Sequence, residues 1–478
     1  MLHPACAAFA LDGAGTEKSP YVITTAKEFA DFCDIVNDVD GVTQNTGACA
    51  VLVNDIDLGG EEWTPVGDSY VNSYSGTFDG GGHVISNFTI TDSFDYAGLF
   101  GCVDGGEIRN LTVSDADVRA SGHCAGIIAG YSLNGSAIKH CSASGSVSSG
   151  AFGAYVGGIV GENNGSTVEN CSNMADVSGI GSGENVGGVV GFNRGNAKVY
   201  NCYNSGIIRG GTCTGGIVGY NMGAAVSNCL NKGGVAGEGQ TGGVVGYNYQ
   251  SSAQVSNCAS IASVSGGARV GGVIGFNNNG GTATGCSWYG DGPVNGVGDP
   301  ASDGGAVKMT REPDETKIVT MLTASIGSQT LSPGGTTRIT LAAEPGTNTE
   351  AIFADNGAVR SNEVSVSSDE TVATAEYNGG GIITVTGVAA GETTITVTAK
   401  LHATDFSKLA DSETENLDEG ADGDGAYLDE STDVTFAFGV TVSGDAPQSS
   451  GGGSGGCSAG WGALALLAAV PLVLRRKK

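Results

Sequence analysis

The 478-residue chain holds 83 glycines, about one residue in six, and its 50 acidic against 21 basic side chains leave a formal net charge of −29. That much glycine beside 40% apolar residues excludes a coiled coil, a collagen helix and a wholly disordered chain. The acidic balance, with a pI near 4.3, also excludes a nucleic-acid partner, because phosphate contacts need a basic stripe.

Residues 1–10 lack a basic region and a long apolar core, yet Ala8-Phe9-Ala10 has the form of a signal-peptide cleavage site. They read as the remnant of an export signal that begins upstream of Met1. Residues 11–96 read as a cap and leading coils. Within them, residues 25–37 place Ala26, Phe29, Ala30, Phe32, Cys33 and Val36 at near-helical spacing, with Thr25 as N-cap and Glu28 three residues on. This predicts a helix that covers the end of the next domain. Residues 50–58 then read as its first strand.

Residues 97–310 repeat. A phrase of two glycines, two β-branched residues and a glycine recurs at 157–161, 187–191, 215–219, 242–246 and 271–275, with weaker copies beginning at Gly98 and Gly126. Each copy is followed by a polar residue and a cysteine, at Cys141, Cys171, Cys202, Cys229, Cys258 and Cys286. A third phrase, such as Asp176-Val177-Ser178-Gly179, closes the period. These runs are too short and too rich in glycine for helices. Three short strands in about 29 residues fit one coil of a right-handed parallel β-helix. Stacking should align Ile159, Val189, Ile217, Val244 and Val273 as an apolar ladder, and Asn163, Asn193, Asn221, Asn248 and Asn277 as a turn ladder of amides.

These phrases, over about residues 97–290, resemble the GLUG-motif repeats of bacterial surface proteins and of the outer regions of some large secreted peptidases. The resemblance implies architecture rather than activity. The run from Tyr74 to Asn87, with Asp79-Gly80-Gly81-Gly82-His83 at its centre, looks like the coil that commonly precedes such repeats.

The six repeat cysteines read as a structural ladder of buried thiols, with adjacent-coil disulfides as the alternative. Cys33 with Cys49 and Cys102 with Cys124 are further candidate disulfides. There is no CxxC, and the five histidines are scattered, so no metal site and no cofactor are expected. Tyr131, Phe192, Tyr220, Tyr247 and Phe276 follow the repeat glycine and form an aromatic column interrupted by Glu162. It reads either as a surface that stacks on sugars or as a structural ring stack. Asp79 is the one weak catalytic candidate, and its simpler reading is turn chemistry. No HExxH, GxSxG or Walker sequence is present.

From Lys317 the repeat gives way to Thr/Val alternation. Residues 317–446 predict a small sandwich similar to bacterial group 2 Ig-like domains, with an acidic insertion at 401–430 read as a solvated loop. Residues 447–456 form a Gly/Ser stalk, and 457–478 an anchor: an apolar run at 459–474 ahead of Arg475-Arg476-Lys477-Lys478. This tail resembles bacterial C-terminal sorting signals, most closely the Synergistes-type CTERM form and more loosely the GlyGly-CTERM form. That resemblance implies cleavage or lipid attachment at Gly455, Gly456 and Cys457, with Arg475 and Arg476 in the retained basic end. A permanent one-helix anchor is the alternative.

The expectation is an all-β, non-catalytic, exported protein of the cell envelope. Its partners would be an extracellular glycan or protein, the export and C-terminal processing machinery, and the membrane through 459–474. The alternative is a secreted β-helix polysaccharide lyase or glycosidase.

Overall fold

In the computed structural model, which describes residues 11–39, 43–91, 94–179, 184–299, 305–309, 313, 318–345, 352–353, 357–406 and 427–443, the repeat phrases stack as coils of a parallel β-solenoid. One coil runs through the strands Tyr155–Gly157, Val160–Asn164, Thr167–Glu169, Ser172–Asn173 and Asp176–Gly179. Each pairs in parallel with its counterpart in the next coil. The coils build sheets of 10, 15, 7 and 8 strands. Ten strands at ~4.8 Å make the rod about 43 Å long.

Three strands per coil were expected, and five short segments are found. The cysteine phrase breaks in two at Asn170-Cys171, and the glycine phrase is not one strand but two joined at Gly158-Ile159 and pressed back to back. A Cβ on Gly157 would lie 2.1 Å from the Val160 carbonyl oxygen and 2.7 Å from that of Val189, so the two strands meet only where neither has a side chain. Gly158 has a different duty. A Cβ there would lie 2.3 Å from the Asn173 amide carbon, in space the next segment's side chain occupies.

The residue before each repeat cysteine, and before Leu111 in the leading coil, turns the corner of the coil. Asn110, His140, Asn170, Asn201, Asn228 and Asn257 all sit at φ between 45° and 55°. Asn tolerates that left-handed conformation better than other side chains. The following cysteine then points inward. Cys141, Cys171, Cys202, Cys229, Cys258 and Cys286 are all wholly buried, as are Ile159, Val189, Ile217, Val244 and Val273.

The interior also carries two amide ladders. Asn163, Asn193, Asn221, Asn248 and Asn277 pass Nδ2–H to the next Oδ1 at 2.9, 2.9, 2.8 and 3.0 Å. They lie within strands rather than in turns, and all but Asn277 are fully buried. A second ladder runs Asn173, Asn204, Asn231 and Ser260 at 2.8, 2.8 and 3.3 Å. Each amide donates forward, and from Asn193 and Asn204 onward each amide oxygen accepts from the amide behind it, which makes a polar interior tolerable.

The helix α1 (Ala26–Val36) closes the first coil. Thr25 and Glu28 form a reciprocal capping box. Phe29 stacks on Trp63 at 4.8 Å, and Phe32 packs on Phe78 at 5.8 Å. The first strand of the ten-stranded sheet is Tyr21–Ile23, ahead of the helix, and it pairs with Ala50–Leu52. Residues 50–58 are not one strand, because the chain corners at Asn54 and Asp55 before Ile56–Asp57.

Beyond the solenoid, two four-stranded sheets face each other across one core. The first holds Val319–Ile326, Thr336–Pro345, Ile382–Gly387 and Ala373–Tyr377. The second holds Thr330–Leu331, Tyr427–Val442, Gly391–Thr404 and Val364–Ser367. Leu322, Ile339, Leu341, Ile383, Val385, Ile395 and Val397 fill the space between them. Among the described residues no helix is long and apolar enough to cross a membrane. Residues 1–10, most of the acidic insertion, the stalk and the anchor, including Gly455, Gly456, Cys457, Arg475 and Arg476, lie outside the described residues.

Candidate functional site

The aromatic positions share one register on the outer edge of the rod. Tyr131, Glu162, Phe192, Tyr220, Tyr247 and Phe276 are consecutive parallel partners. Phe192, Tyr220, Tyr247 and Phe276 stack at centroid separations of 5.0, 4.7 and 4.9 Å, with interplanar angles of 30°, 11° and 18°. Tyr131 and Phe192 are buried, whereas Tyr220, Tyr247 and Phe276 are half-buried. Solvent therefore reaches three of the five.

The gap at Glu162 is filled from the neighbouring sheet. Tyr155 packs on Phe192 at 4.8 Å, and Tyr96 stacks on Tyr131 at 5.3 Å. The two columns trade volume: large Tyr131 and Tyr220 share their coils with small Cys124 and Cys213. Glu162, 6% exposed, accepts from Arg194 at 2.6 Å and from the Cys124 thiol at 3.6 Å. Arg194 also stands 5.7 Å from the Phe192 centroid, and Arg269 covers Phe276 at 3.9 Å while pairing with Asp299 at 2.7 Å.

This geometry limits what the column does chemically. Sugar stacking needs a free ring face. Here the faces of Phe192, Tyr220, Tyr247 and Phe276 are covered by one another and by Arg269. What the column presents is ring edges and phenolic hydroxyls, with Tyr249 tilted against Tyr247 at 5.6 Å and the Asn278 amide 3.4 Å from the Tyr247 hydroxyl.

Asp79 lies at the end of the strand Thr77–Asp79. It accepts from Arg109 at 2.9 Å, from Asn110 at 3.0 Å and from the Gly81 N–H at 2.9 Å. Arg109 also meets Glu107 at 2.7 Å, and Glu107 meets Lys139 at 3.4 Å. Burial works against the Arg109 charge, yet Asp79 and Glu107 outweigh it and hold its pKa above the ordinary value. Asp79 is thus engaged on both oxygens in a corner network.

All eleven described cysteines are buried and free, including Cys33, Cys49, Cys102 and Cys124, so none of the proposed disulfides forms among the described residues. The repeat thiols donate to the carbonyl two residues back, as Cys202 does to Tyr200 at 3.2 Å. Burial pushes the Cys141, Cys202 and Cys229 thiols well above their ordinary range, and Cys102 and Cys213 up to about 12. Such thiols are inert. Among the described residues no cluster of His, Cys, Asp or Glu is arranged to hold a metal ion.

Sequence reasoning missed the second amide ladder, although its signal is present. Asn173, Asn204 and Asn231 each fall two residues after a repeat cysteine.

With this geometry in hand, comparison with known proteins identifies the repeat. The GLUG motif matches residues 152–178 and 182–209, two consecutive coils of the parallel β-solenoid. A protein provisionally called a Gly-rich membrane protein, from Evansella cellulosilytica, is 34% identical over 119 residues, covering 23% of this chain and 13% of that protein. Halomucin of Haloquadratum walsbyi is 30% identical over 164 residues, covering 31% of this chain and 2% of halomucin. The chain thus spans a small part of either relative. A solved structure from Bacteroides ovatus, provisionally assigned as an immunoglobulin A1 protease, aligns with a TM-score of 0.43 at 23% identity, over 56% of this chain and 86% of that one.

Proposed function

We propose that this chain is a non-catalytic surface-display module: an exported GLUG solenoid carried on an Ig-like spacer and held at the cell envelope by its C-terminal tail. The rod meets an extracellular glycan or protein along the edge of the aromatic column. The observation that carries this reading is the row of half-buried rings, Tyr220, Tyr247 and Phe276, held in register for three consecutive coils. Its contacts with a ligand are edge-on and through the tyrosine hydroxyls, since the ring faces are covered.

Two further features support it. Asp79 spends its oxygens on Arg109, Asn110 and the Gly81 amide, which is a structural use of a carboxylate. The tail supports export and anchoring through residues 459–474, with processing at Gly455, Gly456 and Cys457 and the basic Arg475 and Arg476 left in the cytoplasm.

The test is to present the intact protein to an array of extracellular glycans and matrix proteins, reading both retained ligand and released product. Saturable binding without turnover is expected, weakened about tenfold or more in a Tyr220→Ser/Tyr247→Ser variant, the scale of losing one or two good contacts. Product release that Asp79→Asn abolishes would make the protein a glycan-degrading enzyme instead.

A further inference from the structure

The solenoid and the sandwich meet along the left-handed corner column. At one end the contact is apolar and bonded. Leu230, Ala259, Met309, Ile318 and Phe406 form a buried cluster. Asn257 donates from Nδ2 to the Thr404 carbonyl at 3.0 Å and accepts the Phe406 N–H on Oδ1 at 3.2 Å, while the Ser287 hydroxyl donates to the Phe406 carbonyl at 2.9 Å. At the other end, the ring of the corner residue His140 lies 5.7 Å from that of Phe436.

These two contacts orient a strand. Phe436 lies opposite Val397, and Thr404 opposite Tyr427. From Val397 to Thr404 is about 23 Å of extended chain, close to the ~19 Å that separates the corners His140 and Asn257 at ~4.8 Å per coil. The strand Tyr427–Val442 therefore runs beside the corners between them, Asn170, Asn201 and Asn228.

Two independent features bear on this stretch. Tyr427–Val442 pairs along one side with Gly391–Thr404, but on the other side Thr330–Leu331 reaches only Thr441 and Val442, so among the described residues the edge between Ser431 and Val440 is open. An open edge of this length is a template for other chains. On the corner column, the side-chain oxygens of Asn170 and Asn201 are buried without a hydrogen-bond partner, in residues 0% and 1% exposed. A buried acceptor left unmade is costly.

We propose that the corner column is a seat for this strand edge. The sandwich closes onto it about the Asn257–Phe406 anchor, and Asn170 and Asn201 then accept backbone N–H groups of the strand Tyr427–Val442. The clasp is the one Asn257 makes on the Phe406 amide. Closed, the edge is shielded; open, it is offered to a partner's extended strand.

Hydrogen exchange on the full chain tests this with Asn170→Gly/Asn201→Gly, because φ values of 51° and 55° suit glycine and the corners keep their shape. Amides of 427–440 are expected to exchange about tenfold faster, as for the loss of one net hydrogen bond, while those of 382–387 keep their protection. Unchanged exchange at 427–440 would overturn the proposal. So would equal acceleration in both sheets, since that marks loss of the sandwich rather than release of its edge.

Discussion

At the scale of single residues, the coil is specified by position-dependent demands that recur every period. Asn193 sits in the middle of its ladder, receiving from Asn163 and donating to Asn221. Asn193→Ala leaves the Asn221 oxygen without its donor and takes one acceptor from the Asn163 amide, and is expected to cost about 2–4 kcal/mol, read as a lower denaturation midpoint. Gly188 is less forgiving: a Cβ would lie 2.1 Å from the Gly216 carbonyl oxygen and 2.5 Å from the Asn204 amide carbon. Gly188→Ala should therefore prevent native packing of that coil, seen as loss of the cooperative transition. The eleven described thiols are all buried. A thiol reagent should leave them unmodified in the native protein and label them once denaturant unfolds it; rapid native labelling of the repeat cysteines would show that the column is open.

At the scale of elements, legibility depended on how local the determinant was. The helix α1 was readable because its signals lie within one turn: Thr25 and Glu28 make the capping box, and Phe29 and Phe32 share the buried face. Thr25→Ala is expected to cost about 1 kcal/mol. Phe29→Ala, which removes the ring stacked on Trp63 and opens the end of the solenoid, should cost about 3–5 kcal/mol. The glycine phrase was readable as β but not as two strands. Its fold at Gly158-Ile159 is forced by contacts with the previous and next coils, which adjacent residues do not reveal. The amide ladder of Asn163 was legible as a ladder and misplaced as a turn, since Asn favours both turns and any site where an identical amide stands one coil away. The aromatic column was legible as spacing. That its ring faces are covered, and that Tyr155 fills the break at Glu162, depends on side chains from a neighbouring sheet.

At the scale of the whole molecule, the contact between solenoid and sandwich carries a pH dependence. Burial lowers the His140 pKa from its ordinary 6.5. Cys171, Lys139, Glu107 and Arg109 of the solenoid also act on it, and the sandwich presents the Phe436 ring. Phe436 contributes to that burial, so separation would raise the His140 pKa while the solenoid charges still act on it, and docking is at full strength where both forms are neutral. As pH falls the separated form takes up a proton before the docked form does, and docking weakens. Small-angle scattering from pH 7.5 to 5 should show the particle extending on acidification, and His140→Asn, which suits the corner, should remove the step. A profile unchanged by that substitution would place the pH dependence elsewhere.

The amino-acid sequence by itself determined the period, the coil as the unit, the inward cysteines and apolar ladder, and the capping helix. All of these rest on residues that are near neighbours or exact repeats, so one chain read in register with itself reveals them. Only the tertiary structure decided the fold of the glycine phrase, the covered faces of the rings, the engagement of Asp79 by Arg109 and Asn110, and the contact of the sandwich with Asn257 and His140. Each of those depends on atoms that approach from another coil or another domain, and no periodicity within the sequence encodes that approach.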